Sequence, residues 1–92
     1  MRVINITKEI VFNFRYVGRP SIFGNPFHLE RESDRDLVLL EFADYWYAPE
    51  QKWLRERALL EIHKGQVLGC YCHPKRCHAD IIAGYIEWKN ST

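Results

Sequence analysis

The stretch from residue 66 to residue 88 most constrains the fold. Residues 66–72 form an apolar run that reads as a buried strand, and Pro74 breaks it. From about Cys77 to Trp88, Ile81, Ile82, Tyr85 and Ile86 recur at helical spacing. Strand, turn and helix make half of a βαβ unit. Open α/β sheets hold ligands outside the carboxyl ends of their strands. The turn itself, GCYCHPKRCHAD at residues 69–80, carries all three cysteines and two of the four histidines. Chemistry is expected there.

The rest of the chain supplies partners for that unit. Residues 3–6 are rich in β-formers. Residues 11–17 alternate Phe12, Phe14 and Tyr16 with Asn13 and Arg15, the period of a strand with one buried face. The short link at residues 7–9 suggests that these two strands pair as a hairpin. GRPSIFGNPF, residues 18–27, holds two glycines and two prolines, which exclude a regular helix or central strand. Ser33 is placed to cap a helix, with Asp34 and Asp36 in its first turn and Leu39, Phe42, Ala43 and Trp46 on one face. Pro49 ends this helix and suits the first position of another, whose face is Leu54, Ala58 and Ile62 with Leu59 beside them. Gly65 suits the position just past its end. Tyr45, Trp46, Tyr47 and Trp53 read as contacts between the two helices.

The order β-β-α-α-β-α predicts an α/β fold, one domain over residues 1–92, with helices packed on a small mixed sheet. A chain of 92 residues buries only about 60–65% of its unfolded surface, so a homodimer would enlarge a modest core.

Composition narrows the function. Hydrophobic content of 47% and aromatic content of 14% indicate a globular protein. A formal charge of +1 gives no global case for binding nucleic acid. The start, MRVINITKEI, lacks the apolar stretch of a secretory signal, and no run approaches the ~18 residues that span a bilayer. Three clustered cysteines do not resemble a disulfide framework, so a cytoplasmic protein with reduced thiols is expected.

The cysteine turn admits three readings. Cys70, Cys72, Cys77 and His78 form C-x-C-x4-C-H, four ligands suited to tetrahedral zinc, though the usual structural knuckle is C-x2-C. Alternatively Cys77, in a helix first turn beside Lys75, Arg76 and His78, is a thiolate nucleophile while Cys70 is a small buried hydrophobe. In the third reading, the helix N-terminus with Lys75 and Arg76 is an anion site for phosphate. Asp80 either complements the helix dipole or accepts a hydrogen bond from a ligand and acts as general base. Cys77 and His78 are expected at the exposed end.

The loop at 18–27 adds Arg19 for bidentate capture of an anion, Ser21, and Asn25 with both donor and acceptor. Gly18 and Gly24 would let backbone approach a ligand. The loop follows a strand, so it is expected at the same sheet edge as the cysteine turn.

These two blocks carry a resemblance. YVGRPSIFGNPF, followed about forty residues later by LGCYCHPKRCHADII, resembles the family known as domain of unknown function 4326. Its members look like Y-I-G-R-x-S-x-x-G-N-P-F and L-G-C-W-C-x-P-x-x-C-H-x-D. Tyr16, Gly18, Arg19, Ser21, Gly24, Asn25, Pro26 and Phe27 match the first pattern. Leu68, Gly69, Cys70, Cys72, Pro74, Cys77, His78 and Asp80 match the second, and Tyr71 stands where tryptophan is usual. The resemblance covers about residues 11–86. Members occur in bacteriophages, other viruses and bacteria; the resemblance implies that the blocks form one site and points to a phage or viral source.

The leading expectation is a cytoplasmic protein that binds a nucleotide or related phosphorylated small molecule between the two blocks. Arg19, Lys75 and Arg76 would hold phosphate, Ser21, Gly24 and Asn25 would complete the loop side, and Cys77, His78 and Asp80 would serve any hydrolysis or glycosyl transfer. No cofactor is required, zinc being the exception in the metal reading. The alternative is a zinc- or thiol-stabilised interaction protein that binds a host or viral protein.

Overall fold

Strand β3, Val67–Cys70, lies at the centre of a three-stranded sheet. Its run VLGC is apolar, and Leu68, Gly69 and Cys70 are buried, the pattern of a strand covered on both faces. Strand β1, Val3–Asn5, pairs with one edge and β2, Phe14–Tyr16, with the other. Both pairings are parallel. Val3, Ile4 and Asn5 lie opposite Leu68, Gly69 and Cys70, and Phe14, Arg15 and Tyr16 opposite Val67, Leu68 and Gly69. The computed structural model describes residues 1–9, 11–63 and 65–91.

Three α-helices complete the fold among the described residues: α1 at Arg35–Tyr47, α2 at Lys52–Glu61 and α3 at His78–Asn90. The α/β class and the element order are as the sequence predicts. The hairpin is not: β1 and β2 flank β3 and do not touch each other as a pair. The all-apolar strand takes the centre, and the more polar β2 lies at one edge; β1 at the other edge is buried as well. The sheet is accordingly all parallel rather than mixed.

Several local expectations also shift. The second strand is shorter than its alternation suggests, because Asn13 takes a left-handed φ of 67° that ends pairing, an angle Asn tolerates better than most residues. Phe12, before that turn, is 92% exposed. Ser33 does not cap a helix by its side chain. It sits in a 3-10 turn, Glu32–Asp34, that leads into α1. Pro49 opens a second such turn, Pro49–Gln51, ahead of α2. The end of α2 is set by Ile62, which turns extended and buries its side chain in the core. Gly65 lies beyond it and does not have the positive φ of a glycine cap.

One cluster of buried side chains joins the sheet to all three helices. Its aromatic centre is Trp46, stacked on Phe42 with ring centres 6.0 Å apart and met edge-on by Tyr85 at 5.7 Å. Leu54, Ala58 and Ile62 bring α2 to this cluster, and Ile82 and Ile86 bring α3. The carboxyl end of α1 is held by Arg55, whose Nη1 donates to the carbonyls of Trp46 and Ala48 at 2.5 and 2.9 Å. The outcome for function is positional. The carboxyl ends of β2 and β3 lie side by side, so the loop after one and the turn after the other emerge together.

Candidate functional site

The cysteine turn leaves β3 at Cys70 and enters α3 at His78, with Cys77 in extended conformation as the residue before the helix. Asp80, three residues on, reaches back: its Oδ2 accepts the Cys77 backbone N–H at 2.9 Å. The carboxylate therefore satisfies a helix-terminal donor. Asp80 lies on the groove formed with Asp36, Arg76 and Ile81, which shares Leu39 and Cys77 with the pocket described below, and is not part of that pocket's lining.

Cys70 and Cys77 meet in the interior. Cys77 Sγ donates to Cys70 Sγ across 3.3 Å, and the two residues are only 3% and 2% exposed for Cys77 and Cys70 respectively. The proton held by Cys77 lowers the Cys70 thiol to about 6, with burial opposing and the backbone N–H groups of Cys72 and His73 assisting. Cys77 moves the other way. Its bond to Cys70, then burial, push its thiol far above the ordinary range. This reverses the sequence expectation that Cys77 is the thiolate and Cys70 inert. The helix start is buried against the strand, and the proton between the two sulfurs outweighs the dipole.

The basic residues of the turn are turned outward. Lys75 Nζ lies 3.3 Å from Glu32 Oε1, and Arg76 pairs with Asp36. Neither lines the pocket. Sequence proximity alone points their charge at phosphate; in the fold it is met by Glu32, just before α1, and Asp36, in its first turn. His78 is likewise buried rather than exposed. Its Nε2 carries the hydrogen, because it donates to the Val17 carbonyl at 2.7 Å, and its ring meets Phe42 edge-on at 5.2 Å. Burial holds this imidazole below its usual pKa and so in its neutral form.

The loop after β2 is braced by its own side chains. Ser21 Oγ accepts the Phe23 N–H at 3.1 Å, and Asn25 Oδ1 accepts the Phe27 N–H at 2.8 Å. Phe23 is fully buried and anchors the loop. The glycines make room for the protein itself. A Cβ on Gly18 would stand 2.3 Å from the Tyr16 Oη, and one on Gly24 would stand 2.9 Å from the Arg19 side chain. Tyr16 Oη donates to the Arg19 carbonyl at 2.8 Å, and Arg19 Nη1 contacts the His28 ring nitrogens at 2.9 Å.

Loop and turn enclose a pocket of about 330 Å³. Its apolar wall is Phe27, Leu29, Val38 and Leu39. Tyr16 and Tyr71, edge to face at 5.8 Å, stand at one side. Arg19, Arg35 and Asn25 supply polar groups, and the three cysteines and His78 supply the reactive ones. Among the described residues no carboxylate lines it. Of the residues proposed from sequence, Arg19, Asn25, Cys70, Cys72, Cys77 and His78 are brought together. Ser21, Gly24, Lys75, Arg76 and Asp80 lie outside the lining.

Two contributors are not apparent from sequence. Arg35, the first residue of α1, is held by Glu32 through Nε at 3.0 Å and Nη2 at 2.9 Å, and donates from Nη1 to the Arg76 carbonyl at 2.7 Å. Glu32, and after it Cys72, hold this guanidinium firmly protonated. Asn5, buried at the end of β1, donates from Nδ2 to the carbonyls of Tyr71 and His73. Among the described residues no three His, Cys, Asp or Glu side chains are grouped as metal ligands. In the C-x-C-x4-C-H set, two thiols bond each other and the His78 Nε2 is committed to Val17.

The family model for domain of unknown function 4326 (DUF4326) matches residues 5–88. The chain belongs to the DUF4326 family. That match spans both blocks and Asn5, so the whole pocket falls within the family domain. No curated protein and no solved structure matches the chain significantly. Among the described residues of this DUF4326 member, no helix is long and apolar enough to cross a membrane.

Proposed function

We propose that this chain binds a nucleotide or a related phosphorylated small molecule in the pocket between the loop at 17–29 and the turn at 70–78. The observation that carries the reading is the lining itself: two guanidinium groups, Arg19 and Arg35, on a largely apolar cavity that, among the described residues, no carboxylate lines. The Arg19 guanidinium, and the N–H groups that Arg35 does not give to Glu32 and the Arg76 carbonyl, suit phosphate oxygens, and an apolar wall with tyrosines suits a ring. Asn25 spends its carbonyl on Phe27, which leaves its Nδ2 donors for a ligand. The volume, about 330 Å³, is at the small end for such pockets and suits one mononucleotide rather than a dinucleotide. Phosphate contact moves in this reading from Lys75 and Arg76 to Arg35. If turnover follows, hydrolysis or glycosyl transfer would draw on Cys70 as nucleophile and neutral His78 as base, in place of Cys77 and Asp80. A cytoplasmic setting, with a phage or viral source, goes with this proposal; three free, clustered thiols suit a reducing compartment.

The test is a thermal-shift panel of inorganic phosphate, ribose phosphate and nucleoside monophosphates at two salt concentrations. Stabilisation that weakens with salt supports the reading. No shift with any phosphorylated member overturns it.

A second reading, an interaction protein, is favoured by the exposed leucines of α1, Leu37 at 59% and Leu40 at 63%. A sedimentation series in concentration would report self-association as a dimer, with or without added zinc.

A further inference from the structure

We propose that Cys70 and Cys77 form a redox-active dithiol on the pocket wall, in which Cys70 attacks a small hydroperoxide and Cys77 resolves the product into an intramolecular disulfide. This does not depend on which molecule the pocket binds.

Geometry carries the proposal. The two sulfurs are already in contact at 3.3 Å, so closing to the ~2.05 Å of a disulfide needs about 1.3 Å of approach. They sit on different elements, one ending β3 and one preceding α3, and the turn between them is short. Both line the pocket, so a molecule the size of a peroxide has a route to sulfurs that are otherwise buried. The donors are arranged asymmetrically. Cys70 receives the Cys77 S–H and the backbone N–H groups of Cys72 and His73, all of which favour a thiolate at Cys70. Arg19 and Arg35 line the same pocket.

The steps balance. The Cys70 thiolate attacks the distal oxygen of the hydroperoxide; an S–O bond forms, the O–O bond breaks, and an alkoxide leaves. The alkoxide takes the Cys77 proton and departs as alcohol. The Cys77 thiolate then attacks the Cys70 sulfur; an S–S bond forms, the S–OH bond breaks, and hydroxide leaves as water with the proton that Cys70 first gave up. Two thiols and one hydroperoxide become one disulfide, one alcohol and one water. Two electrons pass from the sulfur pair to the peroxide, and a dithiol reductant restores the starting state.

The experiment treats the full chain with a few equivalents of hydrogen peroxide, alkylates the remaining thiols and maps the tryptic peptides. Trypsin cuts at Lys75 and Arg76, between the two cysteines, so a Cys70–Cys77 bond appears as a linked pair of peptides. Fragment ions separate Cys70 from Cys72. The expected product is that pair, lost again on adding dithiothreitol, with Cys72 free. In Cys77→Ala, a sulfenic acid should persist at Cys70 and capture dimedone at least about tenfold more than in the wild type. First oxidation at Cys72, a bond that includes Cys72, over-oxidation without a linked pair, or protection removed by a chelator would each overturn the proposal. The wild-type map needs no variant to fold.

Discussion

Asn5 and Tyr71 are 66 positions apart in the chain and joined by a hydrogen bond of 2.9 Å, from the Asn5 Nδ2 to the Tyr71 carbonyl. The same Nδ2 reaches the His73 carbonyl at 3.1 Å, while the Asn5 Oδ1 accepts from the backbone and hydroxyl of Thr7. One buried amide at the end of an edge strand thus fixes the Tyr71–Cys72 peptide unit, whose N–H faces Cys70, and holds the His73 carbonyl just beyond it.

Replacing Asn5 with alanine should therefore act twice. It leaves two carbonyls of the turn without their donor, which should cost roughly 2–3 kcal/mol in urea unfolding. It should also slow the alkylation of Cys70 at neutral pH, because the Cys72 N–H, on the peptide unit that Asn5 holds, loses its aim. Lost stability with an unchanged Cys70 rate would show that Asn5 holds the fold and not the thiol.

The thiols should separate by pH. Alkylation of Cys70 should rise through a midpoint near 6, since only the thiolate reacts and its proton is lost early. Cys77 should stay unreactive well above neutrality. Iodoacetamide rates by peptide mass across pH 5–9 give both curves. Faster modification of Cys77 would invert the assignment of donor and acceptor.

His78 makes a prediction about acid. Its folded pKa lies below the ordinary value, so the unfolded chain takes up the proton first. The stability it contributes is complete above about pH 6.5 and falls as pH drops below that. Cys70 adds a slope of the same sign between its folded value of about 6 and the ordinary thiol range. Melting temperature against pH should therefore decline on acidification. In His78→Gln, which can still donate to the Val17 carbonyl, the decline between about pH 6.5 and 5 should flatten. An unchanged slope would remove His78 as its source.

Three cations distinguish the pocket from the surface. Arg19→Ala should weaken binding of a nucleoside monophosphate by about 10- to 100-fold, the loss of a charge-assisted contact, with the fold intact. Arg35→Ala should weaken binding and also lower stability, because it frees Glu32 and the Arg76 carbonyl. Lys75→Ala should alter binding little, since its partner is Glu32 at an exposed position. Calorimetric titration with melting curves checks all three. A large loss with Lys75→Ala alone would return phosphate to the helix start.

The sequence shows the cysteine turn and the glycine loop because each is a local pattern. Their meeting rests on adjacent parallel strands, which a strand-then-loop order suggests. What it hides is what depends on contact between distant segments. Arg35 sits among Asp34 and Asp36 like any residue of a charged helix start, and only the packing of α1 beside the turn brings it to Cys72 and Arg76. Proximity in sequence also misleads at Lys75 and Arg76, whose acidic partners come from around α1. Burial of Cys77 and His78 follows from the depth at which α3 starts, and periodicity carries no depth. The alternation at Phe12 fails because a single left-handed residue, Asn13, cancels it.

The central position of β3 has a consequence for biosynthesis. Both edge strands precede it in the chain, and among the described residues neither has another partner in the sheet. A nascent chain halted before residue 67 holds two strands and no ladder, and Val3, Ile4 and Val17 have nowhere to hide. The sheet forms only when the ribosome has delivered the segment that also carries the cysteines. Assembly of the scaffold and of the thiol turn is thus one late event, closing long loops at once, a topology associated with slower folding than local pairing allows.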